Sequence, residues 1–411
     1  MGKLSILRWN IINEIKYLFH PRDEKIVLMG AWSGNRFSDN TRFLYQYLSK
    51  NKEELGLTHV VWVTRNQKLL VELTALGYEA YEMESKESIY FHKRAKYHII
   101  CNSCNHEEAF AGDILPQFSN GAVKINLWHG LGGIKGVEYA SGQYAKKKAV
   151  EPLKCAIKEF CNKQKWYRVL VNRIGGWGDC KYASTTPFQT EILMKYFLKP
   201  SKYFIECGYP RNAKCLEYLE SEEQVISFVS SKKNRILYLP TFRDNTVQYT
   251  EPLQDLSFCD MLKGKDVLWI EKAHGADQTA IMTGAVSDEL PVLKLESSFD
   301  VNILLPYVDV VVTDYSSVVW DALYHKKPLI FYVPDFVYYR DEDRGFIMKP
   351  EEFLLGQVSY SIEELTEAVS ENVDHYDRLL PEDLEAHRMK MWGKEANYRE
   401  IWEAIKRQSN I

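Results

Sequence analysis

The chain is 411 residues long, 45% hydrophobic and 13% aromatic, more than one core usually holds, and without repeats it gives a disordered or solenoid protein no support. A formal net charge of −4 argues against a general nucleic-acid binder, and no apolar run approaches the roughly 20 residues a membrane span needs. Eight cysteines with no secretory leader pattern ahead of them set the expectation of a reducing compartment.

Residues 3–20 place Leu4, Leu7, Ile11, Ile15 and Leu18 at helical spacing, with Lys3, Arg8 and Lys16 on other faces. Such a helix either lies on a bilayer or packs on its own domain. Lys25–Met29 reads as a strand, and in the loop 30–40 the run Ser38-Asp39-Asn40 caps the helix that follows. Strands are expected over Val60–Thr64 and Tyr97–Cys101, and a helix over Gln67–Ala75, an α/β alternation. Cys101 and Cys104 with His106 invite a zinc reading, but no second pair stands at finger spacing, and no metal site is expected.

The strand Lys124–Trp128 ends in His129-Gly130-Leu131-Gly132-Gly133-Ile134-Lys135. A histidine at the carboxyl end of a strand sits where α/β domains carry catalytic groups, its near-neutral pKa suits a general base, and the glycines are expected to let substrate approach the backbone. The structural alternative is a histidine that only packs. Residues 144–173 form the one strongly basic segment, which includes Lys146, Lys147 and Lys148. It suits an anionic membrane surface or a polyanionic acceptor, or else forms a solvated helix face.

The turn over residues 198–202 is expected to separate two domains. Beyond it, strands are expected at 203–208, Arg235–Leu239, Val267–Lys272 and Pro291–Leu295. The loops after them carry Arg211, Thr241, Arg243 and His274 to one sheet edge. The β-branched run Val308–Thr313 reads as a strand buried on both faces. It stops at Asp314-Tyr315-Ser316-Ser317, before a helix and a further strand, Leu329–Val333. That is a βαβ unit, and Ser316 and Ser317 at its helix start are either a plain cap or an anion site. The fold class expected is α/β and GT-B-like, two Rossmann-type domains facing a cleft. Its parts are an amphipathic helix over 1–24, a first domain over 25–202, a second over 203–385, and a C-terminal helix over 386–411 of the kind that crosses back to the first domain.

Taken in order, INLWHG at 125–130, CGYPRNAK at 207–214, YLPTFRD at 238–244, the run from Val308 through Asp335 and RGF at 344–346 resemble the CDP-glycerol glycerophosphotransferase family of teichoic acid and capsule synthesis. So does SDNTRFLYQYL at 38–48. The resemblance implies transfer of a polyol phosphate from CDP-glycerol or CDP-ribitol to a hydroxyl of an undecaprenyl-linked acceptor, with release of CMP, at the cytoplasmic face of the membrane. It implies that the first domain, 25–202, is the acceptor domain and the second, 203–385, the nucleotide-donor domain. It implies His129 as the base on the acceptor hydroxyl and His274 acting on the donor phosphates. Ser316 and Ser317 match the pair at the pyrophosphate, and Asp321 lies one turn on, placed to reach the ribose. Arg211, Arg243 and Arg344, with Thr241, match donor-side positions, and Lys135 with Lys146, Lys147 and Lys148 falls to the acceptor and membrane side. No cofactor is expected, and a divalent cation only as a stimulant. The chain departs from the family pattern at Leu131-Gly132-Gly133-Ile134 and at Gly275, next to both histidines. Two other classes share parts of this pattern, a sugar transferase or epimerase using a UDP-sugar, and an inactive membrane-associated scaffold. Neither needs the combined WHG, PTFRD and TDYSS motifs.

Overall fold

The computed structural model describes residues 12, 21–102, 112–134, 180–197, 199–213, 216–241, 251–272, 290–296, 298–343, 345–375 and 382–410. The N-terminal helix but for Ile12, Cys104 with His106, and the basic segment 144–173 lie outside these residues.

Among the described residues there are two sheets, both wholly parallel. The first contains β1 (Asp23–Met29), β2 (His59–Thr64), β3 (Ala80–Glu82), β4 (Ala95–Ile100), β5 (Val123–Asn126), β6 (Lys181–Ser184) and β7 (Phe204–Glu206), in the order β3-β2-β1-β4-β5-β6-β7. The second contains β8 (Asn234–Leu239), β9 (Val267–Lys272), β10 (Val292–Leu295), β11 (Val310–Thr313), β12 (Leu329–Tyr332) and β13 (Gln357–Ser359), in the order β10-β9-β8-β11-β12-β13. Each order reverses once, between β1 and β4 and between β8 and β11, and ligands of such sheets bind outside the carboxyl ends of the strands at that reversal. Ile26–Met29 and Val310–Thr313 are buried throughout, as strands covered on both faces must be. The GT-B-like class of the sequence reading is therefore the fold observed.

The division between the halves falls later than the turn at 198–202. Phe204, Ile205 and Glu206 pair with Tyr182, Ala183 and Ser184, so β7 closes the first sheet instead of opening the second. The chain crosses between sheets after the 3-10 turn Pro210–Asn212, on the way to the helix Glu220–Ser230. A buried tie joins the halves there. Arg42, in the helix Asp39–Lys50, reaches both carboxylate oxygens of Glu222 at 2.5 and 2.7 Å.

The expected C-terminal helix is two helices, Glu382–Trp392 and Tyr398–Lys406, separated at Gly393, whose φ of 63° favours glycine. The first bridges the halves, because Thr186 Oγ1 donates to the Lys390 carbonyl at 2.9 Å while Trp392 Nε1 donates to the Trp320 carbonyl at 2.6 Å. The second packs on the first sheet through Trp402, fully buried with its ring 5.0 Å from that of Tyr97.

Candidate active site

A cavity of about 420 Å³ opens between the carboxyl ends of the two sheets. The first half lines it with Trp32, Arg36, Ser38, Asp39 and His129, and the second with Leu239, Pro240, Lys272, residues 299–302, Ser316, Ser317, Val318 and Asp321. Arg211, from the crossover between the sheets, completes the wall.

His129 follows β5 by three residues and is aimed by its surroundings. Its Nδ1 lies 3.2 Å from the Cys101 carbonyl at the end of β4. A carbonyl only accepts, so Nδ1 carries a proton, and in the neutral form of the ring the lone pair is then on Nε2. The ring is flanked by Trp128 at 4.1 Å and Trp32 at 4.9 Å between centroids. Trp128 holds a φ of 56°, a left-handed backbone that for a bulky residue costs of order 1–3 kcal/mol and persists only when its neighbours fix it. Its N–H donates to Asn126 Oδ1 at 2.8 Å, and its carbonyl accepts from Asn40 Nδ2 at 2.7 Å. Trp32, Ser33 and Asp39 are left-handed as well, so the strain among the described residues concentrates around this cavity.

The Ser38-Asp39-Asn40 run does more than start a helix. Ser38 makes no capping hydrogen bond. Asn40 ties the chain before His129 to the crossover segment, accepting the Arg211 N–H on Oδ1 at 3.1 Å. The Arg211 guanidinium donates to both oxygens of Asp321 at 3.0 and 2.8 Å, to Asp39 Oδ1 at 2.8 Å, and to the His129 carbonyl. The side chains of Arg211, Asp39 and Asp321 are 1%, 7% and 5% exposed, so water screens these contacts little. Burial pushes the Asp39 carboxyl up to about 7, against the pull of Arg211 and with Asp300 adding to the rise. Burial raises Asp321 too, opposed by Arg211. Asp300 accepts the Asp39 N–H at 2.8 Å.

The second sheet presents its serines by the same logic. The Thr241 N–H donates to both oxygens of Asp314, at 3.0 and 2.8 Å, pinning the end of β8 to the end of β11. Tyr315 turns inward, stacked on Tyr339 at 4.1 Å with its hydroxyl donating to Asp335 at 3.0 Å. Ser316 and Ser317 are left facing the cavity, and Ser317 makes no capping hydrogen bond. A Cβ on Gly130 would stand 2.9 Å from Ser317 Oγ, so glycine at 130 lets the loop after β5 approach the turn after β11 without displacing that hydroxyl.

The family model of CDP-Glycerol:Poly(glycerophosphate) glycerophosphotransferases matches residues 13–391. The chain belongs to that family. It is 25% identical over 365 residues to a teichoic acid poly(glycerol phosphate) polymerase of Bacillus spizizenii, covering 85% of this chain and 84% of that one. To the polymerase of the same name from Bacillus subtilis it is also 25% identical, but there it spans 44% of the relative's length. It is 23% identical to a teichoic acid ribitol-phosphate primase of Bacillus spizizenii, over 84% of this chain and 82% of that one. The solved structure of the wall teichoic acid polymerase TagF superimposes with a TM-score of 0.66 at 18% identity, over 100% of this chain and 98% of that one, which establishes a shared fold.

This glycerophosphotransferase family member brings His129, Ser316 and Ser317 into one cavity. Arg211 and Asp321 reach the same wall but bind each other, the guanidinium being occupied by carboxylates and a carbonyl instead of turned to a phosphate. Thr241 is buried as a strut behind the wall. Arg243, His274, Arg344, Lys135, Lys146, Lys147 and Lys148 lie outside the described residues. The glycines after His129 serve packing. Gly132 and Gly133 have φ of 69° and 92°, and a Cβ on Gly133 would stand 2.5 Å from Ile192 Cγ2. The departure at 131–134 forms a bridge between the halves, the Met348 N–H donating to the Gly133 carbonyl at 3.1 Å and that of Ile347 to Ile134 at 2.9 Å. Sequence reasoning missed Trp32, Arg36, Asp39, Asp300 and Lys272. The available signal was position, since Arg36 lies in the loop after β1 and Lys272 is the last residue of β9.

Proposed function

We propose that this protein transfers glycerol phosphate, or a related polyol phosphate, from a CDP-activated donor to a hydroxyl of an undecaprenyl-linked cell-wall or capsule acceptor, releasing CMP. The observation that carries the reading is that His129 of one sheet and Ser316 with Ser317 of the other share one cavity. In this reading the acceptor hydroxyl gives its proton to His129 Nε2 as its oxygen attacks the phosphorus nearer the polyol. The bond from that phosphorus to the bridging oxygen breaks, and CMP leaves with the electron pair. Such a transfer depends on positioning and charge stabilisation more than on covalent help. Ser316 and Ser317 hold the diphosphate, and His274, Arg243 and Arg344 serve the donor phosphates. Arg211 and Asp321 act as positioning residues, because Arg211 grips the carbonyl of His129 itself. The cations of the chain carry the phosphate charge, so the reading requires no metal and leaves a divalent ion the part of a stimulant.

Among the described residues no helix is long and apolar enough to cross a membrane. The reading therefore brings the enzyme to its acceptor at the cytoplasmic membrane surface through peripheral contact, with Lys135, Lys146, Lys147 and Lys148 on the anionic side. The test is nucleotide release from CDP-glycerol, CDP-ribitol and a UDP-sugar, each with lipid-linked acceptor in detergent. Acceptor-dependent CMP release supports the reading and ranks the polyols. Release from the UDP-sugar alone refutes it.

A further inference from the structure

Two cations in the cavity take no part in the Arg211 network. Arg36 enters from the first sheet and Lys272 from the second. The Arg36 guanidinium lies 4.9 Å from the centre of the Trp32 ring and makes no ion pair or hydrogen bond among the described residues. Lys272 Nζ donates to the Phe299 carbonyl at 2.5 Å and has no carboxylate at ion-pair distance among those residues. The nearby carboxylates are otherwise engaged, Asp39 with Arg211 at 2.8 Å and Asp300 with the N–H of Asp39 and the amide of Asn302, each also at 2.8 Å. Burial lowers the Lys272 ammonium to about 8 and the like charge of Arg36 pushes the same way, while Asp300 and Asp39 pull against both; burial lowers Arg36 too, against the same two carboxylates. Two cations turned into one partly dry cavity, attracted only by carboxylates that other groups already bind, favour a further anion lying between them.

We propose that Arg36 and Lys272 clamp a diphosphate between the two halves, with Arg36 reaching in from the half that carries His129. Trp32 sets the geometry, since its ring lies 4.9 Å from the Arg36 guanidinium and 4.9 Å from the His129 ring. Arg36 thereby attends the phosphorus under attack, beside the base. The clamp deepens the donor reading above and rests on it. As the bridging oxygen takes the electron pair of the broken bond, negative charge grows on the departing CMP, and cations already in place meet that charge without reorganising. Donor binding then requires both halves, although the nucleotide itself belongs to the second.

The experiment is calorimetric binding of inorganic pyrophosphate, CDP-glycerol and cytidine to the full chain and to Arg36→Gln, Lys272→Gln and Arg36→Lys, each checked for folding by circular dichroism. Loss of a charge-assisted hydrogen bond predicts affinity for pyrophosphate and CDP-glycerol weakened about ten-fold or more in both glutamine variants. Cytidine binding is expected to stay unchanged, with Arg36→Lys retaining most of the affinity. Should Arg36→Gln not fold, Lys272→Gln carries the same test. Unchanged affinity for both diphosphates in a folded glutamine variant, or an equal loss for cytidine, overturns the clamp. Wild-type binding of pyrophosphate through these cations without any binding of CDP-glycerol sinks the donor reading and upholds the clamp. CDP-glycerol binding that ignores Arg36 and Lys272 does the reverse.

Discussion

Replacing Arg211 with leucine removes the cation from a cluster that holds the two halves together. The guanidinium spans Asp39 of the first half and Asp321 of the second with three contacts of 2.8–3.0 Å. Deleting one partner of a buried pair costs about 3–5 kcal/mol, and here two carboxylates lose their cation at once, so about 5 kcal/mol is expected. That is a large part of a typical stability of about 5–15 kcal/mol. The loss should depend on pH. Arg211 pulls both carboxyl pKa values down, so without it both rise further. A carboxyl raised on folding contributes its stability at low pH and loses it as pH rises through the folded value, so Arg211→Leu should be more damaging at pH 8 than at pH 5. Adding Asp321→Leu should recover much of the loss, since an apolar pair replaces an unpaired buried charge. Urea unfolding followed by tryptophan fluorescence reads wild type and both variants. A loss below about 1 kcal/mol in Arg211→Leu, or one independent of pH, would refute the claim that this arginine neutralises the cluster.

His129→Ala should lower transfer by about 10² to 10⁴ while leaving donor affinity within two-fold, measured by turnover beside binding. The pair Ser316→Ala and Ser317→Ala should instead weaken CDP-glycerol binding by about 2- to 10-fold per hydroxyl, read by calorimetry. Gly130→Ala should reduce kcat/KM with little change in melting temperature, because its Cβ meets the movable Ser317 hydroxyl at 2.9 Å, and the nearest backbone atom beyond its chain neighbours is Gly132 N at 3.9 Å. Asp39→Asn should gain stability relative to wild type as pH rises from 5 to 8. The Asp39 carboxyl sits at about 7 in the fold, against an ordinary 3.8, so its contribution is whole below about pH 4 and fades through pH 7. A difference flat across that range contradicts the assignment.

Long apolar runs made most of the fold legible. Val267–Lys272 and Gln67–Ala75 fall where their patterning puts them, because an unbroken run or a helical stripe needs no partner to be recognised. Three-residue strands such as β3 and β13 carry too few side chains for any period, and the sheet to which β7 belongs is set by its pairing with the preceding strand β6, which the turn at 198–202 conceals in the sequence. The site divides in the same way. His129 and the serine pair end strands and could be placed from the local sequence. Arg211 could not be assigned its partners, since Asp321 is 110 residues away and Asp39 is 172 away. Arg36 sits in a polar loop where nothing nearby marks it as a cation that makes no ion pair among the described residues.

The most direct measurement uses CDP-glycerol carrying a radiolabel on the phosphorus next to glycerol, incubated with undecaprenyl-linked acceptor and either wild type or His129→Ala. Attack at that phosphorus predicts label and glycerol together in the extracted lipid, equimolar with CMP, and lost in the variant. Label recovered as inorganic phosphate or retained on the nucleotide, or transfer that ignores His129, would contradict the account.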